Sequence, residues 1–99
     1  MKKRGINVEI ARKVRITKGL KETRLQKIRY FRKMTQQQLA DESGVSLRMI
    51  AAYEQKDKAI EGAKLNTLCD ICLALDCGIE DILEDRNIAN KYKQVKKNG

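Results

Sequence analysis

The sequence predicts an all-α domain, and three observations predict it. Helix-capping residues recur at Thr23, Thr35 and Ser46, each ahead of a stretch of helix-forming residues. From Leu25 to Leu83 the apolar residues return every three or four positions, the spacing that gathers them on one side of a helix. The stretches so defined are parted by Ser43-Gly44 and by Gly78, and the chain has no proline to break them elsewhere. With 99 residues, 41% hydrophobic and only 4% aromatic, the chain is sized for one small aliphatic core. It is too short for a doubly wound nucleotide fold or a barrel.

Five helices follow in order. Thr23 caps a helix through Lys33, with Leu25, Ile28 and Phe31 on or near its buried face. Thr35-Gln36-Gln37-Gln38 is a capping box, Thr35 as N-cap with Gln38 reaching back. The helix it opens buries Leu39 and Ala40 and ends at Ser43-Gly44. Ser46 caps a third helix, Leu47 to about Gln55, with Ile50 and Tyr53 spaced for burial. After a loop through Lys56–Gly62, a fourth runs from about Ala63 to Leu75, with Leu65, Leu68, Ile71, Cys72 and Leu75 on one face. Gly78 breaks it, and Ile79, Ile82 and Leu83 make a last short turn of helix. The expected organisation is a basic arm over 1–21, a helical domain over 22–85 and a short basic tail over 86–99.

The arm reads differently. Ile6, Val8, Ile10, Val14 and Ile16 all fall on even positions between Gly5 and Gly19, a period-2 pattern rich in β-branched residues. Ile6, Ile10 and Val14 also satisfy the i, i+4 spacing of a helix. A lone strand needs a partner strand. The arm is therefore either a strand paired with itself or with another subunit, or disordered until a partner arrives.

Charge is unevenly placed. Residues 1–34 hold 13 Lys and Arg against Glu9 and Glu22, a net of +11. Residues 35–90 hold 5 basic and 11 acidic residues, a net of −6, and the four lysines from Lys91 onward bring the chain to +9. Basic ends on an acidic body suggest a polyanion met from the ends; a solvated tail is the plainer alternative.

The inventory argues against an enzyme. There is no His, hence neither the commonest general base nor the commonest metal ligand, and no paired carboxylates in a cleft-forming fold. Cys69-x2-Cys72 lacks a second pair, and Cys77 completes an odd count, so neither a zinc site nor a disulfide framework is expected. The three fit reduced thiols packed as small core residues, and no metal or cofactor is expected. No stretch reaches the ~18–20 apolar residues that cross a bilayer, and no apolar segment follows Met1-Lys2-Lys3-Arg4, so neither membrane nor secretion is indicated.

Two short helices joined by Ser43-Gly44-Val45-Ser46 make the helix-turn-helix pattern, with Gly44 where the turn needs positive φ and Leu39, Ala40, Val45 and Ile50 as the wedge of core between them. With Thr35 to Ala40 before them, and Ile50, Tyr53-Glu54, Leu68, Ile71, Leu75 and Ile79 to Leu83 after, these residues resemble the lambda-repressor-like, Cro/C1-type helix-turn-helix family, also called the XRE family. The resemblance spans about 60 residues, Leu25 to Glu84, and the ordered set carries it rather than any one element. It implies a compact five-helix DNA-binding domain whose third helix enters the major groove.

Site expectations follow from that resemblance and from helix physics. The unsatisfied N–H groups at the start of the second helix suit a phosphate, with Thr35 as cap; Gln36 matches the family's phosphate-binding glutamine and Gln37 is its neighbour. Plain helix-surface polarity is the alternative for these glutamines. Lys56 and Lys58 are further phosphate candidates, or parts of a solvated loop. Base readout is expected from Ser46, Leu47, Arg48, Ala51 and Ala52, where only Arg48 has the reach to grip guanine and the apolar residues suit thymine methyls. Arg48 on a phosphate is the competing assignment. Relatives carry more Gln, Asn or Arg here, so shape readout, or the arm in a minor groove, is expected to contribute. Relatives also end this helix with Gly where Lys56 stands, and a left-handed Lys there costs ~1 kcal/mol unless the turn differs. Arg29 and Glu54 match a recurrent family ion pair, taken here as structural.

The function so implied is a sequence-specific, repressor-like transcription regulator. It is expected to bind double-stranded DNA as a homodimer, in the cytoplasm of a bacterium or from a phage genome, associated with the nucleoid. The dimer surface is expected in the fifth helix with Ile88–Val95, or in the arm. With no room for a ligand-sensing domain, regulation is expected from abundance, proteolysis or a partner protein. The alternative is an antitoxin or interaction adaptor, its partner a toxin or the transcription machinery, for which the apolar residues Leu47, Met49, Ala51 and Ala52 speak.

Overall fold

The computed structural model describes residues 22–98, and the even-numbered apolar pattern of the arm lies outside them. The described residues form six α-helices and one 3-10 turn, in the order α1 (Arg24–Phe31), α2 (Gln36–Ser43), α3 (Leu47–Glu54), the 3-10 turn (Ile60–Gly62), α4 (Leu65–Leu75), α5 (Ile79–Ile82) and α6 (Arg86–Asn98). Each of the first three starts on its own capping side chain. Thr23 Oγ1 accepts the Gln26 N–H at 3.1 Å, Thr35 Oγ1 that of Gln38 at 3.0 Å, and Ser46 Oγ that of Met49 at 3.1 Å. The capping box at Thr35 is complete, since the Thr35 N–H donates to Gln38 Oε1 at 2.7 Å. Gly44 ends α2 at φ +77°, the left-handed conformation that turns the chain into α3.

The core is aliphatic, built from Leu39, Ile50, Ile71, Leu75 and Ile82, all fully buried, with Leu25, Leu68, Leu83 and Tyr53 around them. Ile60 is buried too, so the 3-10 turn anchors the connection between α3 and α4. Three core expectations fail, at Phe31, Leu65 and Cys69. Phe31 is 75% exposed: it lies about 240° around the helix from Leu25, off the face that Leu25 shares with Arg29. Leu65 is 66% exposed, because α4 starts two residues later than expected and its core side begins one turn on, at Leu68. Of the cysteines, Cys72 is buried and Cys77 half-buried, but Cys69 is exposed rather than packed.

The segment expected as a basic tail is a helix. Asp85 caps α6 by accepting the Asn87 N–H at 2.9 Å, and Ala89 is fully buried against the rest of the domain. Two carboxylates fasten this end. Glu61 Oε2 accepts the N–H groups of Glu84 and Asp85 at 2.6 and 2.7 Å, and Glu80 Oε2 accepts Lys96 Nζ at 2.8 Å. Among the described residues no helix is long and apolar enough to cross a membrane.

A buried ion pair joins α1 to α3. Arg29 Nε and Nη2 donate to Glu54 Oε2 and Oε1 at 2.7 and 2.9 Å, a bidentate fork, and Nη1 donates to the Met34 carbonyl at 2.8 Å. Burial works against the Arg29 charge, but the hydrogen bond and charge of Glu54 outweigh it and hold the guanidinium above its ordinary value.

Three helices close on a left-handed residue that is not glycine: Lys33 after α1, Lys56 after α3 and Asp76 after α4, at φ 59°, 63° and 52°. Each is the pivot of a Schellman turn, as the bonds from Met34 N to Arg29 O, Asp57 N to Ala52 O and Cys77 N to Cys72 O show, all between 2.9 and 3.1 Å. The turn after α3 is thus a Schellman turn, with Lys56 standing where glycine would fit without strain.

Three measurements test these points. Glu54→Ala strands the Arg29 charge and should cost about 3–5 kcal/mol in denaturant unfolding; a loss under ~1 kcal/mol would make the pair dispensable. Lys33→Gly should stabilise by roughly 0.5–1 kcal/mol, the left-handed cost less the added chain entropy of glycine. The third concerns pH. The hydrogen bond from Lys96, aided by Glu80's own backbone, holds the Glu80 carboxyl below its ordinary value of 4.5. Its contribution is therefore complete above that value and lost as pH falls through the lower folded one. Melting midpoints of wild type and Glu80→Gln should differ at neutral pH and converge on acidification.

Candidate nucleic-acid interface

The first turn of α2 offers unpaired backbone donors. Thr35 O accepts the Leu39 N–H at 3.0 Å and Thr35 Oγ1 takes that of Gln38, which leaves the N–H groups of Gln36 and Gln37 without an intrahelical partner. With the positive end of the helix dipole behind them, they suit an anion. The side chains here are partly committed. Gln36 Nε2 donates to Glu54 Oε1 at 2.9 Å, and Gln37 Nε2 donates to Asp41 Oδ1 at 2.9 Å. Each amide nitrogen has a second N–H to give. Gln36 thereby ties the start of α2 to the end of α3 through the carboxylate that Arg29 already holds.

Helix α3 presents the other half. Ile50, Tyr53 and Glu54 are buried and fix the helix against α2 and α1, so that Ser46, Leu47 and Arg48 are exposed and Ala51 and Ala52 half-exposed. The exposed face of α3 is mainly apolar, with Leu47 40% exposed and Arg48 its one cation. Met49 belongs elsewhere: it packs against the core and contributes little to that face.

Past α3, Lys56 and Lys58 are both exposed, Lys56 directed by its left-handed backbone. A groove beside α3 is lined by Met49, Tyr53, Lys58, Lys64 and Thr67. It meets the start of α4, where Lys64 is the N-cap and no side chain takes up the free N–H groups.

The structure thus brings together Thr35, Gln36 and Gln37 at one helix start, and Ser46, Leu47, Arg48, Ala51 and Ala52 on the next helix, with Gln36 linking the two through Glu54. Lys56 and Lys58 extend the surface beyond α3. Sequence reasoning missed Gln55 and Lys64. Gln55 is exposed and follows Ala51 by four residues, so the helical period that selected Leu47 and Ala51 reaches it as well. Lys64 had no signal until the groove placed it beside Lys58. Among the described residues there is no cluster of three or more metal-ligating side chains.

Comparison with curated proteins and with solved structures gives no match. A family model described as the Cro/C1-type HTH DNA-binding domain matches residues 24–87, from the first residue of α1 to the second of α6. That range contains the starts of α2 and α4, the exposed face of α3 and the buried pair, and spans well over half of the sequence: the chain belongs to the Cro/C1-type helix-turn-helix DNA-binding family.

Proposed function

We propose that this DNA-binding protein is a sequence-specific, repressor-like regulator that acts as a homodimer with α3 in the major groove. The observation that carries the reading is the pairing of two surfaces through one carboxylate. The α2 start, with its free N–H groups, seats a backbone phosphate, and Glu54 sets it at a fixed distance from the exposed face of α3. A phosphate so placed registers the helix on the duplex, while Arg48 reads guanine and Leu47, Ala51 and Ala52 meet thymine methyls. Lys56, Lys58 and Lys64 add phosphate contacts that supply affinity without sequence information. Eight residues of α3 reach only a few base pairs, which is why two copies on paired half-sites are needed. Bound at a promoter, such a dimer represses by occlusion.

A second reading, an antitoxin or adaptor for which DNA is secondary, is favoured by the exposure of Phe31 and Leu73, large apolar side chains outside the DNA-facing surface.

Selection from a random duplex library, repeated across salt, separates the two. The regulator reading expects a palindromic site, and loss of about 1–3 kcal/mol at one base position on Arg48→Ala. Lys56→Ala and Lys58→Ala should weaken all sequences alike and lower the salt slope by roughly one each. Equal binding of all duplexes, unmoved by Arg48→Ala, would overturn direct readout and turn attention to a protein partner.

A further inference from the structure

We propose that Cys72 and Cys77 form a redox-sensitive dithiol, which a peroxide closes to an intramolecular disulfide across the turn between α4 and α5.

The turn itself places the pair. Cys72 lies three residues before Leu75, the last of α4, and Cys77 is the first residue beyond the left-handed Asp76. These are the two positions that a Schellman turn presses together, their backbones joined by the Cys77 N–H to Cys72 carbonyl bond at 3.1 Å. In most such turns the two side chains make an apolar contact; here both are thiols. Arg32 holds the turn from outside, donating to the carbonyls of Leu75 and Asp76 at 2.7 and 2.8 Å, so the two cysteines stay opposed while the domain is folded. Cys69 lies one helical turn before Cys72 and is exposed.

The two sulfurs are unequal. The two thiols act on one another, and their interaction lowers the Cys77 thiol below its ordinary value and raises that of Cys72, which burial raises further. Cys77 is also the more exposed of the two. It is therefore the attacking sulfur and Cys72 the resolving one. The Cys77 thiolate attacks a peroxide oxygen, the O–O bond breaks, and Cys77 becomes a sulfenic acid as hydroxide leaves and is protonated. Cys72 then loses its proton and its sulfur attacks that of Cys77; the S–O bond breaks and water departs. Two thiols are oxidised, one hydrogen peroxide is reduced to two waters, and a dithiol reductant reverses the change. In a reducing compartment the resting form is the dithiol, and the disulfide is transient.

The test treats the 99-residue chain, as wild type and as Cys69→Ser, with hydrogen peroxide under native conditions. Alkylation in denaturant and intact mass then count the thiols. The expected result is one alkylatable thiol in wild type and none in Cys69→Ser, each with no covalent link between chains and lighter by about 2 Da, two hydrogens, until dithiothreitol restores it. Cys77→Ser should not show that loss. If Cys69→Ser keeps both thiols, or gains oxygen at each without a bridge, the proposal falls. It falls equally if Cys77→Ser still loses two hydrogens, which would assign the bridge to Cys69 and Cys72. Cys69 is exposed, so its replacement leaves the fold intact and the main arm interpretable.

Discussion

The contact on which the domain's geometry turns is the fork between Arg29 and Glu54. Its Coulomb attraction is spent largely on removing two charges from water, so its value lies in direction more than in stability. A bidentate guanidinium–carboxylate pair admits one relative orientation of its planes, and here those planes belong to α1 and α3. The third Arg29 nitrogen closes the turn into α2 at Met34, and the carboxylate takes Gln36 from the start of α2. Three helices too short to hold shape alone are thereby set at fixed angles by one carboxylate and one guanidinium.

Around that fork the aliphatic core supplies cohesion without much direction. Leu39, Ile50, Ile71 and Leu75 fill the space between α2, α3 and α4, and substitution by a similar aliphatic would keep their burial. The periphery is fastened by carboxylates on backbone N–H groups instead. Glu61 spans from the 3-10 turn to the start of α6, and Glu84 accepts the N–H of Arg24 at the start of α1. Much of the acidic character of the body is therefore internal stitching as well as surface charge.

Local features were the legible ones. The caps at Thr23, Thr35 and Ser46, the break at Gly44 and the core of α2, α3 and α4 follow from nearest-neighbour chemistry and spacing, and the sequence shows both. Phe31 and Leu65 were misplaced because a three-to-four-residue period defines a face only to within a residue at helix ends, where the core runs out. Helix α6 is hard to read in the sequence because its lysines mask a pattern that Asp85, Ile88, Tyr92 and Val95 carry, a cap and then a turn-by-turn stripe. At the interface, residue types and positions could be read, but the commitment of Gln36 to Glu54 could not. It joins residues 18 apart, and only the closing of α1 on α3 brings that carboxylate within reach.

The left-handed Lys56 has a consequence for how such a protein can change over generations. Glycine at that position would relax the backbone, while lysine accepts strain and sets a cation at the end of the recognition helix, where the negative pole of the helix also favours it. Under the reading proposed above, robustness and grip on the duplex are then opposed in a single codon, and drift at that codon trades one against the other.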